Sequence, residues 1–142
     1  MALGTNDKIA LIKSLPLFEH CSKKDLEHVA SIADELDLQA GKVLITEGER
    51  GREFFVIISG EVEVFQGGKK VATLGDGSFV GEMALLSKAP RNATVKASTP
   101  LDVLVITDRA FVDLLEKNPE LWLKVTRALA ERLGDNELRN PR

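Results

Sequence analysis

FVGEMALLSKAPRNATV, Phe79 to Val95, is the stretch around which the remaining sequence arranges itself. Gly81 turns the backbone without a Cβ penalty, and Glu82-Met83-Ala84-Leu85-Leu86 then supply good helix formers for a single helical turn. The first N–H groups of such a turn have no partner inside it. Together with the positive end of the peptide dipoles they attract an anion, so the turn reads as a phosphate cradle. Arg91 follows Pro90 on a segment biased to extended geometry and can fold back over the cradle. Its planar guanidinium is suited to gripping two phosphate oxygens at once.

Glu82 makes the reading more specific. A carboxylate beside a phosphate site repels the ligand unless it is aimed at a donor, and a ribose hydroxyl is such a donor. Taken singly, Arg91 is an ordinary surface arginine and Glu82 an ordinary charge at a helix start. With Gly81, Ala84, Pro90, Ala93 and Thr94 also in place, the turn-helix-strand context favours a nucleotide site. The same residues resemble the phosphate-binding cassette of cyclic nucleotide-binding domains, whose core reads F-G-E-aliphatic-A-L followed by P-R-x-A-T. The similarity extends to both sides, from about Leu15 to Leu133.

That resemblance implies a mainly β fold with flanking helices: a β jelly-roll barrel with an N-terminal helical bundle and C-terminal helices. It also implies a regulatory sensor without catalytic activity, whose ligand is cAMP, with cGMP as the alternative. Gly81 then permits close backbone approach, and the N–H groups near Met83, Ala84 and Leu85 hold the cyclic phosphate. Arg91 neutralises the phosphate, Glu82 accepts from the ribose 2′-hydroxyl, and Asn92 and Ala93 complete the phosphate and base side. Phe79 reads as core rather than as a platform for the base. Asn92 carries both a donor and an acceptor and suits either phosphate or purine, so the preference for adenine rests on the family alone. Leu129, Leu133 and Asn136 are the candidates for a residue capping the base. Arg52 departs from the family pattern, which often has an acid there; an alternative partner for Arg52 is another carboxylate. The helices from Asp108 onward are expected to swing toward the nucleotide and carry the signal.

Composition sets the limits. The 142 residues, 44% of them hydrophobic, fit one domain with one core. The expected parts are N-terminal helices over about 6–33, a barrel over about 35–107 and C-terminal helices over about 108–138. A net charge of −3 and a pI near 5.5 argue against a nucleic-acid surface, which is normally basic. A single cysteine, Cys21, and no signal-like N-terminus point to the cytoplasm. No apolar run reaches membrane-spanning length.

Along the chain, Asn6 or Asp7 is expected to cap a short helix that Pro16 stops, and Ser22 with Asp25 forms a variant capping box before Leu26, Val29, Ala30 and Ala33. Short β-like runs follow at Val43–Thr46, Phe54–Ile58, Val62–Val64, Lys70–Leu74, Thr94–Ala97 and Leu101–Ile106, with Gly67-Gly68 as a hairpin signal. Glycines 48, 51, 60, 75 and 81 fall where the resembled family keeps tight turns. Asp108 caps the next helix, Asn118-Pro119 starts the last one, Trp122, Val125, Leu129 and Leu133 form its apolar stripe, and Gly134 ends or loosens it. The eight residues after Gly134 leave no space for a DNA-reading helix-turn-helix.

The expected partners are a cyclic nucleotide and an effector protein or domain that the sequence does not name, with homodimerisation open. Two other classes compete with the sensor. One is a barrel-fold interaction module that no longer responds to nucleotide, or a piece of a larger channel, kinase or transcription factor; intact Glu82 and Arg91 argue against lost binding. The other is a cupin-like metal enzyme, disfavoured because His20 and His28 precede the strands and stand apart in sequence from any ligand constellation, so no metal is expected.

Overall fold

The structure is a computed structural model that describes the backbone of residues 3–139 and the side chains of residues 3–131. The chain forms two compact units, one spanning Ile32–Val112 and the other built from Leu3–Ser31 and the chain from Asp113 onward.

The first unit holds eight strands: β1 (Asp34–Leu38), β2 (Val43–Ile45), β3 (Glu53–Ser59), β4 (Val62–Gln66), β5 (Lys69–Leu74), β6 (Phe79–Val80), β7 (Thr94–Ala97) and β8 (Leu101–Thr107). They pair antiparallel in two four-stranded sheets, ordered β1-β8-β3-β6 and β2-β7-β4-β5. Eight antiparallel strands divided between two sheets in this order are a jelly roll, so the mainly β class expected from the sequence is the one observed. Between the sheets lie Ile45, Phe55, Ile57, Val62, Val95, Ala97, Leu101, Val103 and Val105, drawn from both layers. The run Phe54–Ile58 is apolar throughout because β3 is central: Phe54 and Val56, alternate to Phe55 and Ile57, are buried as well. Gly67 and Gly68 have φ of 58° and 81° and close β4 onto β5 with the left-handed pair that a two-residue hairpin requires. Strand β6 has only two residues and was not among the expected runs; its pairing with Phe55 and Val56 makes it a strand.

The helical unit contains α1 (Thr5–Lys13), a 3-10 turn (Pro16–Phe18), α2 (Lys23–Ser31), the end of α3 (Asp108–Lys117) and α4 (Pro119–Arg139). Ser22 and Asp25 form the reciprocal box foreseen: Ser22 N–H donates to Asp25 Oδ2 at 2.9 Å and Asp25 N–H to Ser22 Oγ at 3.2 Å. The other caps need correcting. Gly4, not Asn6 or Asp7, precedes α1, and Thr107 rather than Asp108 accepts the N–H of Ala110 at the start of α3. Asn118 does stand before Pro119, yet its side-chain amide donates backward to Leu114 O at 2.9 Å and so satisfies the end of α3. Among the described residues the buried face of α4 is Leu121, Val125 and Ala128: Val125 is buried as expected, Leu121 and Ala128 take the places expected for Trp122 and Leu129, and Trp122 and Leu123 are exposed. Gly134 does not stop α4, which runs on to Arg139.

His20 is not isolated. Its Nε2 is 2.8 Å from Glu131 Oε1 and 3.6 Å from Glu19 Oε1, a polar clasp between the α1–α2 connection and α4 that folding assembles across 111 positions. A second clasp joins Lys124 Nζ to Asp25. Burial raises the Asp25 carboxyl, but hydrogen bonds from Lys124 and Ser22 outweigh it and leave the group below its ordinary value. Beside them, burial and the charge of Asp25 push the Cys21 thiol up to about 11, so it carries little of the thiolate that reactivity needs.

Candidate ligand-binding site

The site is built where β6 runs into the quoted stretch. Phe79 and Val80 fix the entry by pairing with β3, and the Phe79 ring meets Phe54 edge-on at 6.0 Å. The next residue must reverse direction at once, and Gly81 does so with φ of 82° and ψ of 19°, a left-handed conformation that side chains oppose. Glu82–Leu85 then make a single 3-10 turn. The Ala84 N–H, expected to be open, donates to Gly81 O at 3.0 Å, because i to i+3 pairing begins one residue earlier than an α-turn would.

The return segment is pinned through its backbone. Arg91 N–H donates to Glu49 O at 2.7 Å, Gly48 N–H donates to Arg91 O at 2.8 Å, and Arg50 bridges Pro90. Thr94 Oγ1 accepts the Glu47 N–H at 3.0 Å, and Gln66 donates to Asn92 O at 3.3 Å. The Arg91 side chain is therefore launched from a fixed base. Its Nη2 donates to Glu53 O at 2.7 Å and its Nη1 to Gly81 O at 3.4 Å. Burial lowers its affinity for a proton, and the charge of Glu53 offsets part of that. A guanidinium stays charged under such a shift, so the fold holds a half-buried cation with further N–H groups available. Among the described residues Arg52 makes no ion pair, so the alternative carboxylate partner considered for it is not present.

These elements enclose a cavity of about 590 Å³, within the range of small-molecule sites. Phe79, Gly81, Glu82, Met83, Ala84, Arg91, Asn92 and Ala93 all line it. Leu85 does not: its side chain is buried in the core, because the 3-10 turn points it away from the hollow. Met83 is exposed at the rim. Of the capping candidates, Leu129 is part-buried on α4, and the side chains of Leu133 and Asn136 lie outside the described residues.

Sequence reasoning missed the aliphatic part of the lining. Register places Ile45 opposite Val95, Val95 opposite Val64, and Val64 opposite Ala72, so four apolar side chains form one row across β2, β7, β4 and β5. All four line the cavity, as does Leu74, two residues along the same face. The alternation of Val62 and Val64 with glutamates marked a one-sided strand, but the row needs the pairing, which no single stretch encodes. The cavity lining thus combines the polar Glu82, Arg91 and Asn92 with aliphatic side chains, and Ile45 comes close to the arginine: a Cβ at Gly81 would stand 3.1 Å from Ile45 Cδ1 and 2.6 Å from Arg91 Nη1. Such a hollow suits a compact anion bearing a hydroxylated ring and a flat apolar ring.

The profile of the family described as "Cyclic nucleotide-binding domain" matches residues 35–118, more than half of the chain. The chain is 41% identical over 116 residues to a cAMP-dependent protein kinase regulatory subunit of Mycosarcoma maydis, covering 73% of this chain and 22% of that protein. It is 35% identical over 120 residues to a cGMP-dependent protein kinase of Eimeria tenella, covering 84% and 12%. It thus spans about a fifth or less of these two relatives. Among solved structures, the N-terminal domain of a transcriptional regulator from Streptomyces coelicolor superposes with a TM-score of 0.82 at 26% identity, covering 89% of this chain and 92% of that one. Among the described residues no helix is long and apolar enough to cross a membrane.

Proposed function

The chain belongs to the cyclic nucleotide-binding domain family, and from that premise we propose that it is a regulatory sensor module for cAMP, with cGMP as the weaker ligand. The observation that carries the reading is that Glu82 and Arg91 line one cavity together with the aliphatic row. In this reading Arg91 offers its remaining N–H groups to the cyclic phosphate, and the left-handed turn at Gly81 lets the ligand approach the backbone. Glu82 accepts from the ribose 2′-hydroxyl, Asn92 and Ala93 flank the phosphate and base, and the purine lies against Val64, Ala72 and Leu74. Adenine is preferred because the Mycosarcoma maydis relative, a cAMP-dependent regulatory subunit, is more similar than the cGMP-dependent kinase. The module works in the cytoplasm and passes its signal to an effector.

Signalling requires the ligand to favour one of two arrangements. The output runs through α3 and α4, the helices that follow β8. Calorimetric titration with cAMP, cGMP and 5′-AMP tests the ligand assignment. The expected order is cAMP, then cGMP, then 5′-AMP, whose open phosphate carries more charge; equal or absent binding of all three refutes it. Amide hydrogen exchange with and without cAMP tests the output. Changed protection between Asn118 and Glu131 is expected, and identical protection there removes the signalling step.

A further inference from the structure

Gly51 is one of the glycines expected at a tight turn, yet it is absent from those with positive φ, so its backbone conformation is open to any residue. What a side chain at 51 would lack is room. A Cβ built there stands 2.5 Å from Cζ and 2.7 Å from Nη1 of Arg91, far inside the 3.5–4.0 Å at which carbon atoms rest. Gly51 is itself buried between the exposed Arg50 and Arg52, and it does not line the cavity.

The surrounding bonds decide which partner would yield. The Arg91 backbone is tied to Glu49 and Gly48 by two short hydrogen bonds, and its side chain is held at the tip by Glu53 O and Gly81 O. Residues 48–53 therefore wrap the arginine, with backbone on backbone at one end, a carbonyl at the other and an open face at Gly51 between them. The free end of a long side chain moves more readily than a doubly bonded backbone, so a methyl group at 51 displaces the guanidinium. Gly81 closes the other side, where a Cβ would stand 2.6 Å from Nη1.

We propose that Gly51 is a positioning residue for Arg91: the absent side chain at 51 is the seat of the guanidinium, and it sets affinity for the cyclic phosphate without touching the ligand. The proposal rests on the reading that Arg91 engages that phosphate. The test is calorimetric titration with cAMP of the wild-type chain, Gly51→Ala, Arg91→Ala and the double variant, with thermal unfolding of each. Gly51→Ala is expected to weaken binding at least about fivefold, or about 1 kcal/mol. Its melting temperature should fall by no more than that of Arg91→Ala, because the displaced guanidinium gives up at most the same two hydrogen bonds, to Glu53 O and Gly81 O. In the Arg91→Ala background the same change should alter affinity less than twofold. Binding within twofold of wild type overturns the proposal, as does an equal loss in both backgrounds. A melting temperature lowered by more than about 5 °C below that of Arg91→Ala also overturns it, because the glycine is then serving packing. A wild-type chain that binds neither cAMP nor cGMP refutes the ligand reading itself and the proposal with it.

Discussion

Arg91→Ala removes the only positively charged side chain that lines the cavity among the described residues, and its consequences can be worked from the contacts. On the proposed reading, the guanidinium makes charge-assisted hydrogen bonds to the singly charged phosphate of the bound nucleotide. Such bonds contribute about 1.5–3 kcal/mol net, which at about 1.4 kcal/mol per tenfold predicts a loss of roughly ten- to over a hundredfold in affinity. The variant also leaves Glu53 O and Gly81 O without the Arg91 donor. Gly81 lines the cavity, where water can replace its lost partner, and Glu53 does not, so stability should fall by about 1–3 kcal/mol. Competition of cAMP against a fluorescent cyclic nucleotide separates the two effects, because circular dichroism on the same samples reports folding. Arg91→Lys should recover part of the affinity, since an ammonium keeps the charge and loses the planar fork. An Arg91→Ala protein that stays folded and binds cAMP within threefold of wild type refutes the role given to the arginine.

Other consequences are narrower. Gly81→Ala forces a Cβ into the left-handed region at φ 82°, against Arg91 Nη1 and, at 3.0 Å, Glu53 O; thermal unfolding should show a loss of at least about 1–2 kcal/mol together with weakened cAMP binding. Ser22→Ala opens the reciprocal box at the start of α2 and should cost about 0.5–2 kcal/mol in denaturant unfolding, with cAMP affinity unchanged. Asp102 pairs across the strands with Asp37, and burial, then Glu35 and Asp37, raise its carboxyl above the ordinary value of 3.8. The folded state therefore holds that proton more tightly than the unfolded chain. Asp102 destabilises the protein increasingly as pH rises from about 3.8 through its folded value. Asp102→Asn should then raise the melting temperature at pH 7, and the gain should disappear at pH 3.

Much of this was legible in the sequence because it is local. The glycine turn, the single helical turn after it and the returning strand appear at Gly81, Glu82–Leu85 and Thr94–Ala97, and most strand runs fell between the glycines that bound them. What failed depended on partners distant in sequence. Strand β6 is too short to show a period and exists because β3 offers it hydrogen bonds. The stripe on α4 was right at Val125 and wrong at Trp122, because Trp122 and Leu121 both stand at helical spacing from Val125 and only packing chooses between them. Asn118 obeys the signal for a helix start and spends its amide on the preceding helix instead. Of the residues lining the cavity, Glu82, Arg91 and Asn92 stood out in the sequence because their types carry chemistry; Ile45, Val64, Ala72 and Val95 did not, because they resemble any core residues until register aligns them.

The central claim is that one hollow divides its labour, with Arg91 for the phosphate and Glu82 for the sugar. The most direct measurement is a two-by-two calorimetric comparison: wild type and Glu82→Gln, each titrated with cAMP and with 2′-deoxy-cAMP. Deleting the hydroxyl should weaken binding to wild type by about tenfold or more, the worth of one hydrogen bond to a charged acceptor. It should matter less than threefold to Glu82→Gln, so that the two losses are strongly non-additive. Losses that simply multiply, or a wild-type protein indifferent to the 2′-hydroxyl, would contradict the assignment of Glu82 to the ribose.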